Sequence, residues 1–312
     1  ILGKPPSAAM ADAEPPPPVL YECRDGVCLI TLNRPERWNA WTDEISHAWY
    51  DAYDRAAADP ECRVIVVQGS GKSWCAGADV GGFFPKGGGG KKAAAPTPSD
   101  PEVAKLRERA KKGILIDRSG RWTNHAQTIP KPIIACINGG VAGGGFAQMM
   151  NCDIRFAAAG IPINSAFARR GLIAEHGVSQ TLVKAVGMGT AMDIMLSGRK
   201  ISAEEALQLG IVQRVFPKEE LLDSTLAYAR DIAANVPPSS LAVIKQMLLR
   251  HASMPMEEVM MEANRLMLQS FKAPEHKEGV QSYLEKRKPS FPAYDENHGL
   301  VKMMKEIQSS KL

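Results

Sequence analysis

The 312-residue chain contains no run of eighteen or more uninterrupted apolar residues, so nothing in it reads as a membrane-spanning helix. Its N-terminal stretch lacks the basic region and apolar run of a secretory signal. Asp12, Glu14 and the lack of any arginine before Arg24 argue against a transit peptide. A cytoplasmic location without a membrane partner is the remaining expectation. The six cysteines (Cys23, Cys28, Cys62, Cys75, Cys136 and Cys152) form no C-x-x-C pair and show no His/Cys spacing suited to zinc. They are expected to be reduced, mostly buried thiols, with no metal site. A large excess of one charge is missing too: 38 Lys and Arg against 34 Asp and Glu leave +4, with no basic cluster interleaved with aromatics. Nucleic acid is therefore not an expected partner, whereas an anionic small ligand is compatible with that balance. Complete phosphate-binding loops are absent as well. Gly71-Lys72-Ser73 has Val66 where the loop's first glycine belongs, and Gly90-Lys91-Lys92 has Pro85 there and no hydroxyl residue after the lysine.

What is present is the balance of an ordinary globular protein, 45% hydrophobic and 23% charged. The length suits one α/β core with an appended helical region. Residues 1–18 are Ala- and Pro-rich and are expected to form a disordered tail. A hairpin follows, with Asp25-Gly26 between Val19–Cys23 and Val27–Leu32. Thr42 and Asp43 are placed to cap a helix in which Ile45, Trp49, Ala52 and Tyr53 share a face. Buried strands are predicted at 63–68, 132–138 and 153–157, a helix at 146–150, and a helical pattern from about Thr190 onward, including 219–235 and 256–271. Strands alternating with helices, then helices alone, predict a core at 19–215 and a helical region at 216–312. Within the core, Gly81 to Pro101 is rich in glycine and proline and reads as a flexible insert, with a helix after Asp100.

Two small-residue segments carry the chemistry. Ser73-Trp74-Cys75-Ala76-Gly77-Ala78-Asp79 follows one buried strand, and Asn138-Gly139-Gly140-Val141-Ala142-Gly143-Gly144-Gly145 follows another. Such segments let a ligand touch backbone, and a helix starting there aims free N–H groups at it. Either alone is equally compatible with close helix–strand packing. Together with Leu32-Asn33-Arg34-Pro35, Asn39-Ala40, Pro130-Lys131-Pro132, Cys152-Asp153, Ser197-Gly198, Ala203-Glu204-Glu205-Ala206, Gly210-Ile211-Val212 and Tyr283-Leu284-Glu285-Lys286-Arg287, they make the chain resemble the crotonase (enoyl-CoA hydratase/isomerase) superfamily from about residue 19 to 292. The resemblance implies an α/β crotonase-like spiral of ββα units with a C-terminal helical region that builds homotrimers or homohexamers. It also implies an acyl-CoA thioester as substrate, with coenzyme A entering as part of it and no separate cofactor. The thioester oxygen would lie between the N–H groups of Ala78 and Gly144, beside Gly143. Lys286 and Tyr283 match positions that touch coenzyme A, while Arg37 and Lys72 are cations placed to neighbour its phosphates.

The departures from that pattern shape the expected reaction. Hydratases of the family carry one Glu two residues after the glycine triplet and another eight residues before the acid-bearing turn. Here those positions are Ala147 and Phe167. What remains is Glu175 in Gly171-Leu172-Ile173-Ala174-Glu175-His176-Gly177, where isomerase-like relatives place an Asp. A double-bond shift needs one carboxylate that takes a proton and returns it elsewhere, whereas hydration must also activate water. Isomerisation with Glu175 as the base is the expectation, with His176 placed to assist or orient it. Enoyl-CoA hydration and a non-catalytic acyl-CoA-binding scaffold remain the alternatives, the second because Glu175 also suits a solvated loop or a helix N-terminus.

Overall fold

The computed structural model describes residues 16–79, 108, 117 and 119–309. Most of the expected tail, the 81–101 insert and the helix expected after Asp100 lie outside the described residues, Glu108 excepted.

The hairpin forms as its turn chemistry dictates. Strands β1 (Val19–Arg24) and β2 (Val27–Leu32) pair antiparallel. Asp25 and Gly26 both take positive φ, as a two-residue turn between right-twisted strands requires. Thr42 caps helix α1 (Asp43–Ala58), its hydroxyl accepting the Ile45 N–H at 3.2 Å, and Ile45, Trp49, Ala52 and Tyr53 are buried on one face.

Beyond α1 the chain repeats one step. A long buried strand is followed by a strand of three residues that joins a second sheet. Thus β3 (Val64–Gly69) leads to β4 (Ser73–Cys75), β5 (Ile133–Ile137) to β6 (Gly140–Ala142) and helix α2 (Gly144–Asn151), and β7 (Ile154–Ala158) to β8 (Pro162–Asn164). Helix α3 (Val178–Ser197), β9 (Lys200–Ser202), α4 (Ala203–Gln208) and β10 (Arg214–Phe216) follow. The first sheet has the order β1-β2-β3-β5-β7-β10 and is parallel from β2 onward; the second is β4-β6-β8-β9. Each repeat adds one strand to each sheet, which is the expected spiral. Parallel strands covered on both faces must be apolar throughout, and β5 is buried at every residue.

Helix α5 (Lys218–Asn235) lies across β3, β5 and β7, and its Leu221, Ala229 and Ala233 join the main core. Helices α6 (Pro238–His251), α7 (Met256–Ser270) and α9 (Gly299–Ser309) gather a second apolar cluster around Val243, Leu266, Leu300 and Met304, with α8 (Pro274–Leu284) between α7 and α9 in the chain. Lys245 of α6 ties the two parts together. Its Nζ is buried 2.8 Å from Asp153 at the start of β7 and also donates to the carbonyls of Ala126 and Lys131. Asp153 accepts the Ile133 N–H as well, so it fixes a strand end.

Two expectations need correction. Helical structure begins at Val178 rather than near Thr190, and Gly187, at φ 77°, bends α3 between the two positions. The cysteines are not all free thiols. Cys23 and Cys28 are direct cross-strand partners in the hairpin and form a disulfide, while Cys62, Cys75, Cys136 and Cys152 are free and buried. The five-residue spacing hid the pairing because the turn, not a motif, sets the register. No helix among the described residues is long and apolar enough to cross a membrane.

Candidate active site

Parallel pairing of β4 with β6 brings the two small-residue segments together. A Cβ added to Gly77 would lie 2.8 Å from the Ala142 carbonyl oxygen and 3.4 Å from the Gly144 nitrogen. Only glycine, here with φ 87°, permits so close an approach.

Each donor is presented by its own scaffold. Trp41 brackets Ala78 in an isolated bridge: its N–H donates to Gly77 O at 2.7 Å, and its carbonyl accepts the Asp79 N–H at 3.0 Å. The Ala78 N–H between them has no acceptor among the described residues. Gly144 opens α2, so its N–H has no partner within the helix and stands at the positive end of the helix dipole. Gly143, at φ 50°, makes the turn into α2, and its N–H is held by the Asn164 carbonyl at 3.2 Å. Beside Gly144 there is open space, since an added Cβ would meet nothing within 4 Å. Two neighbouring N–H donors with no acceptor among the described residues offer an arrangement that could stabilise negative charge growing on a carbonyl oxygen.

Asp79 anchors this loop. Its carboxylate accepts from Arg37 Nη2 at 2.9 Å and lies 3.8 Å from Arg34. Arg37 therefore serves the donor loop directly while remaining half exposed. Asn39, wholly buried, accepts the Arg34 N–H at 2.8 Å and donates to the carbonyls of Ser70 and Ser73. Sequence reasoning missed the structural parts of Trp41 and Asn164, which act through backbone atoms that leave no side-chain signal. Lys72 is exposed on the turn before β4.

Glu175 lies in the turn between β8 and α3, and α3 packs against α2, the helix that begins at Gly144. Its Oε2 is 3.6 Å from His176 Nε2, with both side chains about one-third exposed. His176 has φ 56°, a left-handed backbone that most side chains avoid and His tolerates better than bulky residues do. Burial pushes its imidazole below the ordinary value, against the opposing pull of Glu175. Leu172 and Ile173 of the same turn are exposed. Ala147 and Phe167 are buried in the apolar core, with no carboxylate at either position.

Tyr283 and Lys286 are exposed at the end of α8. Lys286 takes a left-handed backbone just past the helix, at φ 53°. Among the described residues, no hydrogen bond or ion pair joins either side chain to the glycine loops. A cleft of about 1020 Å³ between α1, α6 and α9 includes none of the expected site residues.

The chain matches the enoyl-CoA hydratase/isomerase family over residues 22–112 and 100–294. It is 32% identical over 275 residues to the (E)-benzylidenesuccinyl-CoA hydratase of Thauera aromatica, covering 88% of this chain and 98% of that protein. To the 1,2-epoxyphenylacetyl-CoA isomerase of Escherichia coli K12 it is 28% identical over 273 residues, covering 88% and 97%. A crystal structure of a probable enoyl-CoA hydratase/isomerase from Mycobacterium abscessus superposes with a TM-score of 0.73 at 27% identity, covering 88% of this chain and 99% of that one. A spiral of paired sheets, two converging backbone donors and similarity across nearly the whole length point to one conclusion: this chain belongs to the enoyl-CoA hydratase/isomerase family and is a crotonase-fold enzyme acting on acyl-CoA.

Proposed function

We propose that the enzyme shifts the double bond of an enoyl-CoA thioester, using Glu175 as its single proton carrier. The observation that carries this reading is the pair Ala147 and Phe167, both buried and apolar where hydratases of the family hold their two acids. In a 3-enoyl substrate the Glu175 carboxylate takes a proton from C2. The electron pair spreads onto the thioester oxygen, where the Ala78 and Gly144 N–H groups stabilise it, and the proton returns at C4. Donors aimed at the oxygen gain strength as charge develops, so they favour the dienolate over the bound substrate. Coenzyme A would lie toward Tyr283 and Lys286, with Arg37 and Lys72 on the loop side. Exposed apolar side chains on α3 (Met188, Met192, Leu196) and on α7 and just past its end (Met260, Leu268, Phe271) support assembly into a homotrimer or homohexamer.

Hydration is the second reading, favoured by the contact between His176 and Glu175, which offers two groups to one water. A panel of 2-enoyl and 3-enoyl thioesters followed by mass and absorbance separates the two. Product of unchanged mass and shifted absorbance is expected. A gain of one water as the main product would make the enzyme a hydratase, and no turnover of any thioester would make it a binding scaffold.

A further inference from the structure

Three sulfurs meet at the end of the sheet opposite the glycine loops. Cys23 sits near the end of β1, Cys28 is its cross-strand partner at the start of β2, and Cys62 lies two residues before β3. All three sulfur atoms lie within 4.8 Å of one another. A thiolate shell around a cation held at about 2.3 Å needs sulfurs about 4 Å apart, within reach of side-chain rotation once the Cys23–Cys28 bond is open. Cys28 and Cys62 are wholly buried and Cys23 is half-buried, so Cys23 is the most solvent-exposed of the three residues.

The surroundings suit an anionic cluster. Lys131 is buried, and its Nζ donates only to the carbonyls of Ala56 and Asp59, at 2.7 and 2.6 Å, with no carboxylate in ion-pair range among the described residues. The same Asp59 carbonyl accepts the Cys62 N–H, so the Lys131 amine shares an acceptor with the residue that carries the third sulfur, and its Nζ also lies 5.8 Å from the Tyr294 ring centre. Buried cations are normally paired, and a thiolate cluster would place negative charge within the reach of this lysine. Tyr21 Oη lies 3.0 Å from Cys28 Sγ and donates to Asp59 Oδ2, which places a hydroxyl next to the sulfur that would become a ligand.

We propose that, after reduction of the Cys23–Cys28 disulfide, Cys23, Cys28 and Cys62 bind one thiophilic d¹⁰ cation as a three-thiolate site. Reduction by a dithiol adds two electrons and two protons across the S–S bond and gives two thiols. Cation binding then forms three metal–sulfur bonds and releases three protons, one from each sulfur. Oxidation of the pair removes two of the three ligands, so metal binding and the disulfide exclude each other.

The test is an anaerobic Cd²⁺ titration of the full chain after phosphine reduction, followed by the ultraviolet thiolate-to-cadmium charge-transfer band. The band is expected to saturate at one Cd²⁺ per chain in the reduced protein and to be absent from the oxidised protein. Cys62→Ala should weaken binding at least tenfold, whereas Cys136→Ala, which removes a buried thiol elsewhere in the core, should leave it unchanged. Circular dichroism confirms that each variant is folded. A folded, reduced wild type without the band, an equal band in the oxidised protein, or a folded Cys62→Ala variant with unaltered affinity would each overturn the proposal.

Discussion

In the glycine half of the site an added methyl group would collide with backbone at Gly77, Gly139 and Gly145, though not at Gly144, whereas at the glycines that flank the acid it would meet open space. A Cβ on Gly139 would strike the Lys72 carbonyl, one on Gly145 the Cys75 carbonyl and one on Gly77 the Ala142 carbonyl. Gly171 and Gly177, which flank Glu175, have nothing within 4 Å of an added Cβ. The donors are backbone groups fixed by strand pairing and close packing. The proposed proton carrier, Glu175, is a side chain on a turn with room beside its flanking glycines. On the proposed reading, a fold built this way could keep its oxyanion donors while the acids around them change, with Ala147 and Phe167 as the changed positions.

The largest expected effect tests the rigid half. Gly145→Ala forces a methyl group into the Cys75 carbonyl within a fully buried contact, and overpacking of this kind costs about 3 kcal/mol. Gly171→Ala adds the same methyl group in open space and bears only the left-handed backbone cost of about 1 kcal/mol. Denaturant unfolding of the two variants should rank them in that order. Equal losses would mean that the two halves are not packed differently.

The next largest effect belongs to the adaptable half. Glu175→Gln keeps size and hydrogen bonding but removes basicity, so turnover should fall about a hundredfold, the usual worth of a positioned general base. Acyl-CoA affinity should survive, because the Ala78 and Gly144 donors are untouched. Ala147→Glu alone should not yield efficient hydration while Phe167 holds the partner position. Wild-type-like turnover in Glu175→Gln would sink the single-base mechanism.

Much of the rigid half could be read from the sequence, because its signals are local: turn glycines, the Thr42 cap and buried strands ending in small residues. The second sheet could not be read that way. Strands β4, β6, β8 and β9 span three residues each, too few to show a period of two. The Cys23–Cys28 bond and the burial of Lys131 and Lys245 depend on register and long-range packing, and lysine is ordinarily a surface residue. At the acid, the motif position was legible but the left-handed backbone of His176 was not, since no neighbouring residue type demands it.

A smaller effect is expected where the substrate would leave the fold's rigid frame. Lys286 is exposed, and a cation there would attract a coenzyme A phosphate through screened charge alone. Lys286→Glu should weaken acyl-CoA binding about tenfold at low salt, roughly the 1.4 kcal/mol that a charge reversal near a phosphate can supply. The remaining binding should depend less on ionic strength. Calorimetry showing equal affinity at low salt would remove Lys286 from the coenzyme A site.

The smallest effect concerns the imidazole beside Glu175. Burial holds His176 below its ordinary value, so the folded chain binds this proton more weakly than the unfolded chain does. Acidification through the unfolded value of about 6.5 therefore favours the unfolded chain. The loss grows as pH falls toward the depressed folded value and stays constant below it. His176→Asn removes the titrating group and keeps a residue that tolerates a left-handed backbone. Between about pH 7 and pH 5 the wild-type melting temperature should fall more steeply than that of the variant, by a small margin because the side chain is partly solvated. Gly145→Ala placed in the same series should shift the whole curve without changing its slope, because its cost is steric and carries no proton. Parallel curves for wild type and His176→Asn would show that the imidazole titrates alike in both states, and the acid half would then be as open to solvent as its glycines suggest.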